Sequence, residues 1–99
     1  MGVGTTARNL RIDPSRRRDV YWTNDAVAQF FEISDGERRT GKRILDALRL
    51  FAAEGRGDLR KLEGREDEWR LRVGDWRIVF SLQGRIATVT GVGNRRDVY

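Results

Sequence analysis

The chain has 99 residues, 38% apolar and 35% charged, with twenty Lys and Arg against fifteen Asp and Glu for a net charge of +5. That length holds one domain with a single modest core. With no Cys and no His, disulfides, zinc fingers, thiol nucleophiles, Ser-His-Asp triads and imidazole bases are excluded together.

A pI near 10.6 points to a polyanionic partner. No apolar run approaches the roughly 20 residues that span a bilayer, and the first residues lack the apolar stretch of a secretory signal. A cytoplasmic protein with no membrane partner is expected. Only Lys42 and Lys61 are lysine; the other basic residues are Arg. Codon usage in a GC-rich genome is one reading of that bias. The other is phosphate recognition, since guanidinium offers a planar fork of donors.

Residues 1–16 are rich in Gly, Thr and Arg, and Pro14 breaks any helix there. They read as an irregular N-terminal arm. Arg16-Arg17-Arg18 reads as a solvated flank. Asp19–Thr23 is rich in strand formers and predicts a short first strand. Thr23 or Asn24 then caps a helix carrying Val27, Phe30 and Phe31. Ser34 and Glu37 have the spacing of a capping box and predict the start of a second helix. Its apolar stripe is Ile44, Leu45, Leu48, Phe51 and Ala52, and Gly55 and Gly57 stop it.

From Glu68 the period changes to two. Trp69, Leu71 and Val73 alternate with Arg70 and Arg72, and Gly74-Asp75 forms a hairpin turn with Gly first. Trp76, Ile78, Phe80 and Leu82 then alternate with Arg77, Val79 and Ser81. Gln83-Gly84 turns the chain into a strand starting at Arg85. The order predicts an α+β domain: a strand, a helical hairpin, then an antiparallel meander of at least three strands with one face open.

The turn fixes the register. Position 73 pairs with 76, 72 with 77, and 70 with 79, so the apolar set faces the helices. Arg70, Arg72 and Arg77 cluster on the other face, Arg72 directly opposite Arg77. Like charges so placed are destabilising, and folding alone does not ask for them. A bound anion would use them. Two other readings stand beside that one: neutralisation by Glu66, Asp67 or Asp97, and basic residues that blunt strand aggregation. At the C-terminus, Gly91 and Gly93 allow close backbone approach, and Arg95 with Tyr99 offers an aromatic beside guanidinium groups, as a stacked base requires.

The run Lys61-Leu62-Glu63-Gly64, then W-R-L-R-V-G-D-W-R-I-V-F (69–80), then V-G-N-R-R-D-V-Y (92–99) resembles the RelE/ParE superfamily of bacterial type II toxins, with the RelE branch closest. The resemblance spans residues 17–99. It implies a RelE-like β-α-α-β-β-β fold and a ribosome-dependent mRNA endonuclease that needs neither metal nor cofactor. In that chemistry the ribose 2′-hydroxyl attacks the adjacent phosphate. The implied catalytic positions are Arg70, Arg72, Arg77, Arg95 and Tyr99, with Lys61, Trp69 and Arg96 as substrate-binding positions beside them. The best-known members carry lysine where Arg70 and Arg72 stand, and arginine stays protonated. Candidate bases are then the carboxylates Glu63, Glu66 and Glu68, and the alternative is chemistry that rests on electrostatic stabilisation of the phosphorane by Arg70, Arg72, Arg77 and Arg95. The implied partners are a RelB-like antitoxin, the 70S ribosome and mRNA, with the toxin monomeric when alone. The alternatives are a ParE-like gyrase inhibitor of the same fold, and a module that binds RNA or antitoxin without cutting.

Overall fold

Alternation of Val20 and Trp22 toward the helices with Asp19 and Tyr21 away from them makes β1 (Asp19–Trp22) a half-buried strand. The computed structural model describes residues 17–64 and 67–94; the expected arm at 1–16 lies outside them. After β1, Thr23 keeps an extended backbone, and its Oγ1 accepts the Ala26 N–H at 3.1 Å, capping α1 (Asn24–Gly36). The expected capping box at Ser34 does not form. Helix α1 continues through Ser34, and Glu37 alone separates it from α2 (Arg38–Glu54). One extended residue reverses the chain: the Glu37 N–H closes α1 on the Ile33 carbonyl, and its carboxylate accepts the Thr40 hydroxyl of α2. Ser34 instead packs over Gly41, where a Cβ would lie 2.6 Å from the Ser34 hydroxyl. The two helices approach closely there because position 41 has no side chain. Gly55, at φ 69°, ends α2 in the left-handed conformation that glycine favours.

Beyond α2 come β2 (Asp58–Lys61), β3 (Glu68–Val73), β4 (Trp76–Gln83) and β5 (Ile86–Asn94). They form one sheet in the order β1-β5-β4-β3-β2, with β1 parallel to β5 and every other pair antiparallel. The expected α+β architecture holds, with β2 as a strand the sequence reading lacked. The second turn sits one residue later than expected. Gly84 and Arg85 form it, Gln83 pairs with Ile86, and Gly84 takes φ 61°, as the first residue of a tight hairpin turn requires. A bulge shifts the β4–β5 register. Val79 faces Gly91 while Phe80 faces Val89, and Thr90 is the extra residue, its hydroxyl donating to the Val79 carbonyl.

The core lies between the helices and one sheet face. Ala26, Ile44, Leu48 and Phe51 pack on Leu71, Ile78, Phe80, Ala87, Val89 and Val92. The Phe51 and Phe80 rings meet at 4.9 Å. Arg18 departs from the expected solvated flank: it is buried, with its guanidinium 5.7 Å from the centre of the Phe51 ring and its N–H on the Ala52 carbonyl. A cation over an aromatic face accounts for a charge in that place.

Candidate functional site

The face away from the helices is a grid set by strand register. Arg72 stands across from Arg77, and Arg70 across from Val79, as the hairpin spacing predicts. Strand β2 places Asp58 beside Arg72 and Arg60 beside Arg70. On the far side of β4, Gly93 lies beside Arg77 and Gly91 beside Val79. Four guanidinium-bearing residues thus occupy three neighbouring strands at one corner of the sheet.

Arg77, on the inner strand β4, is 9% exposed. Its Nη1 donates to the carbonyls of Gly74 and Trp76, each at 3.3 Å. Its Nε is buried with no hydrogen-bond partner among the described residues. Arg72 Nε also donates to the Gly74 carbonyl, at 3.2 Å. Two guanidiniums therefore converge on one backbone oxygen at the hairpin tip. From the other side the Arg43 guanidinium of α2 lies over Gly74. Burial, followed by the positive charges of Arg77 and Arg60, lowers the pKa of Arg70 from the ordinary arginine value; Arg72 adds to this and Asp58 opposes it. The corner is a concentrated positive field on a partly desolvated surface, which is what an anion site requires.

The carboxylates expected to neutralise it are Glu66, Asp67 and Asp97. Glu66 and Asp97 lie outside the described residues. The Asp67 carboxylate accepts from Gln83. Glu68, by contrast, shares the alternation of Arg70 and Arg72 and pairs with Ser81, so it stands on the arginine face. Glu63 is exposed in the turn before β3.

Of the residues singled out in the sequence, Arg70, Arg72 and Arg77 come together. Arg95, Arg96 and Tyr99 lie outside the described residues. Trp69 and Lys61 face each other across β3 and β2, and Trp69 packs against the core. Both therefore sit on the helix side of the sheet, on the face away from Arg70, Arg72 and Arg77. The period-two pattern that turns Arg70 outward turns Trp69 inward. Arg60 is the residue the sequence reading missed. Its signal is Asp58–Lys61 read as a strand, which puts it next to Arg70.

A groove of about 820 Å³ runs beside the end of β5 and the C-terminal half of α1. Its charged lining residues are Glu32, Glu37 and Glu68, and it borders the arginine corner at Val79, Gly91 and Gly93. Gln29 closes the strand edge there, its Oε1 accepting the Val92 N–H at 2.8 Å. Among the described residues no group of three Asp or Glu is placed to hold a metal ion.

The sequence model of the ParE toxin of the type II toxin–antitoxin system parDE matches residues 20–99. No functionally curated protein matches. Several solved structures share the fold. A chain of the archaeal RelE–RelB complex from Pyrococcus horikoshii OT3 is 21% identical with a TM-score of 0.65, over 83% of this chain and 98% of that one. A chain of the E. coli DinJ–YafQ toxin–antitoxin complex is 11% identical with a TM-score of 0.68, over 84% and 98%. The YoeB dimer from Staphylococcus aureus gives 17% and 0.62, over 76% and 93%. At such identities these likenesses show the fold, which is the RelE-like arrangement of a helical hairpin on a mostly antiparallel sheet. With the sequence model covering most of the chain, this protein belongs to the ParE toxin family of type II toxin–antitoxin systems, within the RelE/ParE superfamily.

Proposed function

We propose that this toxin is a metal-independent endoribonuclease that cuts mRNA in the A site of the 70S ribosome. The observation that carries the reading is the corner formed by Arg70, Arg72 and Arg77. It gathers like charges at a cost to folding, and a scissile phosphate would use them. In the reaction the 2′-hydroxyl oxygen bonds to phosphorus and the bond from phosphorus to the 5′-oxygen breaks. The products are a 2′,3′-cyclic phosphate and a 5′-hydroxyl. The 2′-hydroxyl proton passes to a base, for which Glu68 is the carboxylate of the expected set on the arginine face. The guanidiniums stabilise the doubly charged phosphorane. Arg95 donates a hydrogen bond to the leaving 5′-oxygen, which takes up a proton from water to become the 5′-hydroxyl, and Tyr99 orients the substrate, as in the superfamily the sequence resembles. The ribosome supplies orientation that so small a protein does not.

The partner proposed for the resting state is an antitoxin, as in the DinJ–YafQ and RelE–RelB complexes that share the fold. A basic sheet face suits an acidic segment that folds on binding. Co-expression with the product of a neighbouring gene followed by size exclusion tests this; a toxin that elutes alone counts against it.

Induction of Arg77→Gln in growing cells tests the site. The variant is expected to lose growth inhibition, and its cutting rate to fall by about 10²–10³, the usual loss for one preorganised donor, with an unchanged circular dichroism spectrum. A folded variant as toxic as the parent removes the site. The ParE description of the matching model favours a second reading, inhibition of DNA gyrase by protein contact. Inhibition of supercoiling by the purified toxin, with no cut RNA, would select it.

A further inference from the structure

The face that carries the arginines continues past them. One row beyond Arg70, Val79 and Gly91, the register aligns Glu68, Ser81, Thr88 and Tyr21 across β3, β4, β5 and β1. Tyr21 is 57% exposed, while its neighbours Val20 and Trp22 turn into the core. In the next row Ile86, 47% exposed, pairs with Asp19 of β1. An exposed aromatic and an exposed aliphatic side chain thus sit together at the β1 edge of the same face. Between them and the arginine corner lie the hydroxyls of Ser81 and Thr88 and the two positions without side chains, Gly91 and Gly93. Strands spaced about 4.8 Å apart put Tyr21 roughly 14 Å across the sheet from the β3 arginines.

We propose that Tyr21 is a base-stacking subsite for single-stranded RNA, holding a nucleotide that flanks the one whose phosphate lies at Arg70, Arg72 and Arg77. This rests on the nuclease reading and adds to it a substrate-positioning residue at the opposite end of the face. A positive corner that tracks phosphate and an aromatic plane that takes a base are the two parts of single-strand recognition. The distance exceeds one nucleotide, so Tyr21 engages a neighbour of the cleaved nucleotide. The charge at the far corner favours RNA over an apolar protein segment as the occupant of the Tyr21 end.

The test is fluorescence anisotropy of the full chain with a labelled oligouridine and with an abasic ribose-phosphate oligomer of equal length. Tyr21→Ala is expected to weaken oligouridine binding about five- to a hundredfold, the usual loss of one stacked base. It leaves binding of the abasic oligomer and the salt slope of the interaction unchanged, and Tyr21→Trp restores binding. Because Tyr21 is exposed, thermal melting of the alanine variant should match the parent. Undiminished oligouridine binding by Tyr21→Ala, beside a clear loss in Arg72→Gln, overturns the stacking subsite and leaves the nuclease reading standing. Failure of the parent protein to bind oligouridine at all overturns the subsite, while the nuclease reading is decided separately by ribosome-dependent cleavage. Equal losses on both oligomers overturn stacking, as does a loss seen only in antitoxin binding, which would make this end a protein-docking surface.

Discussion

Arg77 shows what the site costs. Its Nη1 is held by two backbone carbonyls, and its buried Nε has no partner among the described residues. An unmade hydrogen bond at a buried donor costs about 1–3 kcal/mol, out of roughly 5–15 kcal/mol for a whole domain. Arg70 adds to that cost, since burial and the guanidiniums of Arg77, Arg60 and Arg72 all disfavour its charged form. Removing one charge should therefore stabilise the fold while weakening function. Arg70→Gln is expected to raise the melting temperature by about 2–4 °C, equivalent to roughly 0.5 kcal/mol in a domain of this size, and to lower RNA cutting. Differential scanning calorimetry reads the first and a cleavage assay the second. A lower melting temperature would mean that Arg70 is placed for folding. Gly74 is a second pressure point, with φ 64° and the Arg43 guanidinium 3.0 Å from where a Cβ would lie. Gly74→Val should destabilise by about 1–3 kcal/mol through backbone strain alone, measured by urea unfolding.

At the scale of elements, two side chains set boundaries. Thr23→Ala removes the cap of α1 and should cost about 1 kcal/mol. Gln29→Ala frees the Val92 N–H and should speed hydrogen exchange at Val92 more than at Ile78, because the end of β5 loses its closure. An equal change in exchange at Val92 and Ile78 would contradict that role. These elements also show what a sequence discloses. The β3–β4 hairpin was legible because six apolar residues alternate with Arg70, Arg72, Arg77 and Val79 about a glycine turn, and register then follows from counting. That count placed Arg70, Arg72 and Arg77 together. Strand β2 was not legible: Asp58-Leu59-Arg60-Lys61 has one apolar residue and no period. Its strand state comes from pairing with β3, and Arg60 stayed hidden with it. The capping box at Ser34 failed because the same residue was better used packing over Gly41, a contact between helices that local spacing does not encode. Lys61 and Trp69, which the family resemblance implies as substrate contacts, stand on the opposite face because alternation turns both toward the helices.

For the whole molecule, charge and fold divide the work. The helical hairpin and one sheet face hold the core, and the other face carries a positive corner at β2–β4 with an exposed aromatic at β1. Binding of single-stranded RNA should therefore weaken steeply with salt. Each phosphate contact contributes about 0.7 to the slope of log affinity against log salt. Loss of Arg72 in Arg72→Gln should reduce that slope by about 0.7, whereas Tyr21→Ala should leave it alone. An unchanged slope in the arginine variant would take the phosphate away from this corner.

Primer extension on a defined mRNA, with 70S ribosomes holding an empty A site, decides most directly whether this arginine face cuts RNA. The expected result is cleavage within the A-site codon that requires the ribosome and disappears in Arg77→Gln. Intact mRNA in the presence of a folded toxin that still halts growth would contradict it, and would make the arginine face a docking surface for another target.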